Sequence, residues 1–254
     1  MDLTEIDSFD ISADHLRKVV ALTGAGISAE SGVPTFRGEG GMWRQHRPEE
    51  LATPQAFASN PQMVWEWYLY RRQIIAQSNP NAGHDALVEL EKVLKDRFIL
   101  ITQNVDGLHR RAGHKNPIEL HGNIFLNRCN SCSERYPDDT LDFDKLPPLC
   151  LNCQGQIRPD VVWFGEGLNH VTIEDAFLHS QQATLFLSIG TSAVVHPAAA
   201  LPVVAKDSGA LLVEINPDRT PITSLADAVF TDSSAQVLPD LVNKIKQIET
   251  KSKN

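Results

Sequence analysis

Val19-Val-Ala-Leu-Thr23 runs directly into Gly24-Ala-Gly-Ile-Ser-Ala-Glu-Ser-Gly-Val-Pro-Thr-Phe-Arg37. An apolar, β-branched strand that ends in a glycine turn and opens a short helix begins a βα unit. Such a turn presents free backbone N–H groups and the positive end of the helix dipole to an anion, normally a pyrophosphate. The stretch therefore predicts a dinucleotide site at the end of a parallel strand. Its spacing is not the full G-x-G-x-x-G of hydride-transferring dehydrogenases, because Ser28-Ala-Glu30 fills the place of the third glycine. A tight turn that needs only glycine's backbone freedom is the alternative from this segment alone.

Working outward, strand-like runs recur at Phe98–Thr102, Ile157–Phe164, Thr184–Gly190, Leu211–Asn216 and Ala228–Thr231. Helical patterns separate them. In Ala86–Leu94, Leu87, Leu90, Val93 and Leu94 share one face; Pro197–Ala205 carries Pro in its first turn; a closing helix follows Leu238-Pro239. The alternation predicts an α/β fold, a Rossmann-like doubly wound parallel sheet with the site at its strand ends. Two stretches break the pattern: 39–78, rich in aromatics and arginine, and 124–158, which holds the cysteines. They read as insertions that form a smaller domain, a zinc ribbon plus helices. The large domain then comprises 1–38, 79–123 and 159–250, with a cleft between the two where two substrates can meet.

The chain has 254 residues and a formal charge of −9, which argues against a general nucleic-acid or anionic-membrane partner. No apolar stretch approaches the ~20 residues needed to span a bilayer. The start, Met-Asp-Leu-Thr-Glu-Ile-Asp, is acidic where a presequence is basic. An intracellular, cytoplasmic protein is expected, with nuclear entry left open.

The four cysteines fall as Cys129-x2-Cys132 and Cys150-x2-Cys153, a spacing suited to a tetrahedral zinc ribbon with four thiolate ligands. Two disulfides or a redox C-x-x-C are the alternatives, and intracellular chains rarely keep disulfides. A set of four cysteines leaves zinc no open position, so one structural Zn2+ is expected.

After Phe98–Thr102 comes Gln103-Asn-Val-Asp-Gly-Leu-His109, amide and carboxylate groups at a strand end. They suit ribose and carboxamide hydrogen bonding, or equally a helix start with Asn104 or Asp106 as N-cap. His121-Gly122 closes Pro117–Leu120. A histidine at a strand end in a cleft is a candidate general base, since its ordinary pKa near 6.5 needs little tuning.

Gly24-Ala-Gly-Ile-Ser with Pro34-Thr-Phe-Arg37, Gln103-Asn-Val-Asp106, His121-Gly122, the spaced cysteines, Val161-Val-Trp-Phe-Gly-Glu166 and Gly190-Thr-Ser192 occur in the order found in sirtuins. The chain resembles that family over nearly its whole length. The resemblance implies NAD-dependent removal of an acyl group from a protein lysine, with NAD consumed as co-substrate and nicotinamide released. In that chemistry the acyl oxygen attacks C1′ of the nicotinamide ribose, and His121 then deprotonates a ribose hydroxyl.

Carried over by position, Ala25, Gly26 and the following turn would hold phosphates, Phe36 and Arg37 would cover the nicotinamide ribose, and Gly24, Ile27, Glu30, Thr35 and Trp43 would also belong to the NAD site. Asn104 would position that ribose and its water, Asp106 the carboxamide and Gln103 a ribose hydroxyl. Gly190, Thr191, Ser192, Asn216, Pro217, Asp218 and Ser234 would line the phosphate and adenosine end. The segment holding Val161, Val162, Phe164, Gly165 and Glu166 would pair with an extended substrate peptide as an added strand.

The aromatic insertion reads Leu51-Ala-Thr-Pro54 and, further on, Trp65-Glu-Trp-Tyr-Leu-Tyr-Arg-Arg72. Asn60-Pro61 starts a helix well, so Tyr68 and Arg71 should share one face. A tyrosine hydroxyl beside a guanidinium fork matches a carboxylate, which acetyl-lysine lacks. The pair, with the small Ala52, resembles the class III sirtuins that remove malonyl, succinyl and glutaryl groups. An amphipathic helix with core aromatics and solvated arginines is the alternative. ADP-ribosyl transfer onto a protein, or a non-catalytic NAD or ADP-ribose binding module, are the rival functions.

Overall fold

The computed structural model describes residues 6, 8–35, 51–137 and 141–252. Its strands are β1 (Val19–Thr23), β2 (Phe98–Thr102), β3 (Ile118–Glu119), β4 (Gly122–Cys129), β5 (Arg135–Tyr136), β6 (Ile157–Val161), β7 (Leu185–Ile189), β8 (Leu211–Ile215) and β9 (Ala228–Phe230). The α-helices are α1 (Gly26–Ala29), α2 (Pro54–Ser59), α3 (Pro61–Gln77), α4 (Ala82–Leu94), α5 (Leu108–Ala112), α6 (His170–Gln182), α7 (Leu201–Asp207) and α8 (Ser234–Lys251). Six strands form one parallel sheet in the order β3-β2-β1-β7-β8-β9. This is the expected Rossmann-like doubly wound sheet.

β1 is buried at every position, so it reads as an unbroken apolar run rather than an alternation. Val19 and Ala21 face a core built with Leu87 and Leu90 of α4 and Val237, Leu241 and Ile245 of α8. Val20 and Leu22 face the opposite layer, with Phe186, Leu201 and Leu212. The strand order reverses between β1 and β7, where a doubly wound sheet opens a crevice. At that point the chain comes unusually close to itself: a Cβ on Gly24 would stand 2.7 Å from the Gly190 carbonyl oxygen. Glycine at 24 is what lets the two strand-end turns touch.

The run Ile157–Phe164 does not join the parallel sheet. β6 stops at Val161 and pairs antiparallel with β4, with Cys129 opposite Ile157 and Gly122 opposite Val161, in a small sheet ordered β5-β4-β6. β4 itself was not legible as a strand, because its polar Asn123, Asn127 and Arg128 hide the pattern. The small sheet packs with α2 and α3 around Phe57, Trp65, Tyr68, Ile124 and Trp163. Both helices start as their sequence dictates: Thr53 Oγ1 accepts from Ala56 N, and Asn60 Oδ1 accepts from Met63 N, each with Pro next in the chain.

The closing helix begins at Ser234, ahead of Pro239 rather than after it. Pro239 removes one i→i−4 bond near the start, and burial of Val237, Leu238, Leu241, Val242 and Ile245 holds the helix regardless. Among the described residues no helix is long and apolar enough to cross a membrane.

Candidate active site

The ends of β1, β2, β7 and β8 open into one cavity of ≈ 800 Å3. Gly24, Ala25 and Gly26 line it from the first turn, Gln103 and Asn104 from the second, Gly190, Thr191 and Ser192 from the third, and Asn216, Pro217 and Asp218 from the fourth. Ser234 at the start of α8, Glu30, Thr35 and His121 complete that side; Ala52, Tyr68, Arg71, Val161, Val162, Phe164, Gly165 and Glu166 face them. Phe36, Arg37 and Trp43 lie outside the described residues.

The glycine turn differs from the sequence expectation in how its N–H groups are used. Gly24 N donates to Ile189 O and Gly26 N to Gly190 O, while Ile27 N and Ser28 N close onto Gly24 O and Ala25 O. Two of these donors tie the turn to the end of β7 and two close the turn on itself, which leaves the Ala25 N–H to a ligand. Ile27 is fully buried in the sheet core and does not line the cavity. Its apolar side chain anchors the turn from beneath.

Asp106 also sits behind the cavity wall. Its carboxylate accepts from Ser28 Oγ at 2.8 Å and from Leu108 N at 2.9 Å. Burial raises its pKa, opposed by those two hydrogen bonds and by the Arg71 charge. Asn104 Nδ2 donates to Gly24 O at 3.0 Å, so the β2 turn braces the β1 turn. Gln103 Nε2 donates to Thr191 Oγ1, and Asn216 Nδ2 donates to Thr191 O, each at 2.8 Å. The four strand-end loops thus form one hydrogen-bonded rim. His121 Nδ1 lies 2.8 Å from Gln103 O, and burial lowers its pKa, partly opposed by that bond.

At the other end, Tyr68 and Arg71 are buried, at 2% and 5% exposure, and line the cavity together. The Arg71 guanidinium stacks 4.8 Å from the Trp67 ring centroid. Arg72 turns away, donating to Ile124 O and Asn127 Oδ1 inside the small sheet, so it is neither solvated nor part of the cavity. In the Val161–Glu166 segment most N–H groups are spent: Val162 N on His121 O, Phe164 N on Ala52 O, Glu166 N on Trp163 O, Trp163 N on Glu166 Oε2. A peptide strand added here meets carbonyl acceptors and the Gly165 N–H.

Several lining residues were not foreseen, among them Trp67, Trp163, His196, Arg219 and Ser233. Trp67 and Trp163 could have been found from their places beside Tyr68 and inside Val161–Glu166. His196 and Arg219 carried no signal beyond proximity to the Gly190 and Asn216 turns.

The Sγ atoms of Cys129, Cys132, Cys150 and Cys153 all lie within 4.8 Å of one another. Cys129 and Cys153 are 3.5 Å apart, and Cys132 and Cys150 3.6 Å, too long for disulfides. Tetrahedral zinc with Zn–S of ~2.3 Å requires S···S edges of about 3.8 Å. The four thiols therefore fit a closed, structural zinc site. Backbone N–H groups of Ser131 and Cys132 point at Cys129 Sγ, and that of Cys153 at Cys150 Sγ, as thiolates require.

Residues 24–197 match the Sir2 family. The chain is 50% identical to an NAD-dependent protein deacylase of Aquifex aeolicus over 90% of its own length and 95% of that protein. The chain belongs to the Sir2 family. Its fold superposes on a Sir2 homolog–NAD complex with a TM-score of 0.84 at 44% identity, covering 97% of this chain and 93% of the other. A complex of Sir2 with a p53 peptide and NAD+ gives 0.81 at 34% identity, over 91% and 95% of the two chains.

Like other Sir2 proteins, this one uses NAD, and its cavity has the donors for it. The Ser233 and Ser234 hydroxyls are buried at the cavity edge without a protein partner, at the positive end of α8. With the Ala25 N–H they are donors of the kind a pyrophosphate takes. The Sir2 rim of Gln103, Asn104 and Asn216 supplies amide groups suited to ribose and carboxamide.

Proposed function

We propose that this protein is an NAD-dependent protein-lysine deacylase that prefers negatively charged acyl groups, namely succinyl, malonyl and glutaryl. One observation carries the acyl reading: a buried phenol and a buried guanidinium line the same cavity as His121. A carboxylate accepts from a phenol and a guanidinium at once, and acetyl carries no such group. Small Ala52 leaves room for the longer chain.

NAD supplies the electrophilic ribose carbon and departs as nicotinamide and 2′-O-acyl-ADP-ribose. The protein's part is to orient and to move a proton. His121, with Nδ1 held by Gln103 O, turns its Nε2 lone pair to the cavity, where it takes the proton of a ribose hydroxyl. Asn104, fixed by Gly24 O, positions the ribose and its water. The acylated lysine enters as part of an extended peptide laid along Val162–Gly165. The domain division is part of the same reading: 1–38, 79–123 and 159–250 form the NAD-binding domain, and 39–78 with 124–158 form the small domain across the cleft.

Matched succinyl- and acetyl-lysine peptides, incubated with NAD, test the assignment. A charge-assisted hydrogen bond of ~1.5–3 kcal/mol corresponds to a succinyl preference of about ten- to 150-fold, which Arg71→Met should erase. Equal turnover of both peptides, or an Arg71→Met enzyme with unchanged preference, refutes the acyl assignment. Mass spectrometry showing ADP-ribosylated protein in place of acyl-ADP-ribose refutes deacylation.

A further inference from the structure

Trp163 Nε1 lies 2.8 Å from Tyr68 Oη in the interior. An indole N–H can only donate, so the direction is fixed: Trp163 donates and the phenol accepts. The single proton of Tyr68 cannot then point at Trp163. Among the described residues no protein acceptor takes it, and Tyr68 lines the cavity beside Arg71. Trp163 thereby converts an ambivalent hydroxyl into a donor committed to the acyl group.

The indole is itself clamped. The Arg158 guanidinium stacks 3.1 Å from its ring centroid, and the Phe57 ring lies 5.2 Å away. Arg158 is fully buried and donates to both carboxylate oxygens of Glu166, at 2.6 and 2.9 Å. Glu166 Oε2 also accepts from the Trp163 backbone N–H at 2.9 Å. One carboxylate thus holds both the backbone of Trp163 and the cation under its ring. A buried pair with this many matched bonds fixes geometry even where it contributes little net stability.

We propose that Trp163, held by Arg158 and Glu166, is a positioning residue for acyl selection: it orients the Tyr68 hydroxyl as donor to the acyl carboxylate. The inference rests on the acidic-acyl reading above. It assigns the Glu166 side chain to this clamp and leaves substrate contact to the backbone of the segment.

The test compares wild type, Trp163→Phe, Tyr68→Phe and the double variant, with kcat and KM measured for succinyl and acetyl peptides at saturating NAD. Trp163→Phe keeps an aromatic ring at the site and removes the N–H together with part of the indole's volume. The succinyl/acetyl ratio of kcat/KM should fall about tenfold, mainly through succinyl KM, and the double variant should be no worse than Tyr68→Phe alone. A merely structural role lowers both substrates together. If Trp163→Phe is unstable by circular dichroism, Glu166→Gln carries the test: it keeps an acceptor for the Trp163 N–H, frees Arg158, and should lower the same ratio. A variant that keeps the wild-type ratio while Tyr68→Phe loses it overturns this inference and leaves the acyl reading standing. A wild-type enzyme with no succinyl preference overturns the acyl reading and this inference with it.

Discussion

Nδ1 of His121 lies 2.8 Å from the carbonyl oxygen of Gln103. A carbonyl only accepts, so Nδ1 carries the proton and the neutral ring keeps its lone pair on Nε2. The same contact ties the candidate base to the β2 turn whose next residue, Asn104, braces the glycine turn of β1. The proposed base and the amide proposed to position the ribose are therefore tied to the same turn.

The pH profile follows from that tautomer. Burial holds the His121 pKa below 6.5, so the ring is neutral and competent through neutral pH and loses activity only as pH falls through the lowered value. The acid limb of kcat/KM in the free enzyme should lie below pH 6.5. His121→Ala should cut kcat by about 10²–10⁴-fold, as expected for a lost general base, while NAD still raises the melting temperature.

Ser28 and Asp106 give a second prediction. Both are buried, at 1% and 5% exposure, and the serine hydroxyl donates to the carboxylate. Ser28→Ala leaves Asp106 short of a donor where burial already disfavours its charge. Urea unfolding should show a loss of about 1–3 kcal/mol. The KM for NAD should rise, because Asn104 Nδ2 also loses its 3.3 Å contact with Ser28 Oγ. Unchanged stability would mean that the carboxylate is held by Leu108 N–H alone.

The zinc module should depend on its metal. Elemental analysis of the purified protein should give one zinc per chain, bound at Cys129, Cys132, Cys150 and Cys153. Structural cysteine-rich sites draw ~10–16 kcal/mol of apparent folding free energy from zinc. Chelation should therefore lower the melting temperature and abolish turnover, although no cysteine touches the substrate cavity. Cys132→Ser should reproduce both effects in part.

The sequence made the large sheet legible because its strands are buried on both faces. Val19–Thr23 and Leu185–Ile189 carry hydrophobic runs that no amphipathic element would show. It misled at Ile157–Phe164, which reads as one more strand of the parallel sheet but pairs antiparallel with β4: a strand's pattern does not name its partner. Tyr68 and Arg71 were readable from helical spacing. Trp163 was not, because its bond to Tyr68 joins two elements 95 residues apart. The donors of the glycine turn were misjudged for a similar reason, since Gly190, which takes the Gly26 N–H, comes from the far side of the switch point.

Behind β1, His84, His109 and His114 stack in the core, with ring centroids 4.9 and 5.3 Å apart. His109 Nε2 meets Thr23 Oγ1 at 2.9 Å, His114 Nδ1 meets Glu91 Oε2 at 3.0 Å, and Asn81 N donates to His84 Nδ1 at 3.3 Å. Burial lowers all three pKa values, His84 to about 4; like charges deepen the effect at His84 and His109, while Glu91 opposes it at His114. The unfolded chain thus binds more protons than the folded one between pH 6.5 and about 4. Stability is complete above pH 6.5 and is lost as pH falls through that window. At ~1.4 kcal/mol per pKa unit, His84 alone accounts for on the order of 3 kcal/mol. Urea unfolding at stepped pH should show this slope, and His84→Asn, which cannot titrate, should flatten it by about that amount. A variant with the wild-type slope would show that His84 enters the fold already able to ionise.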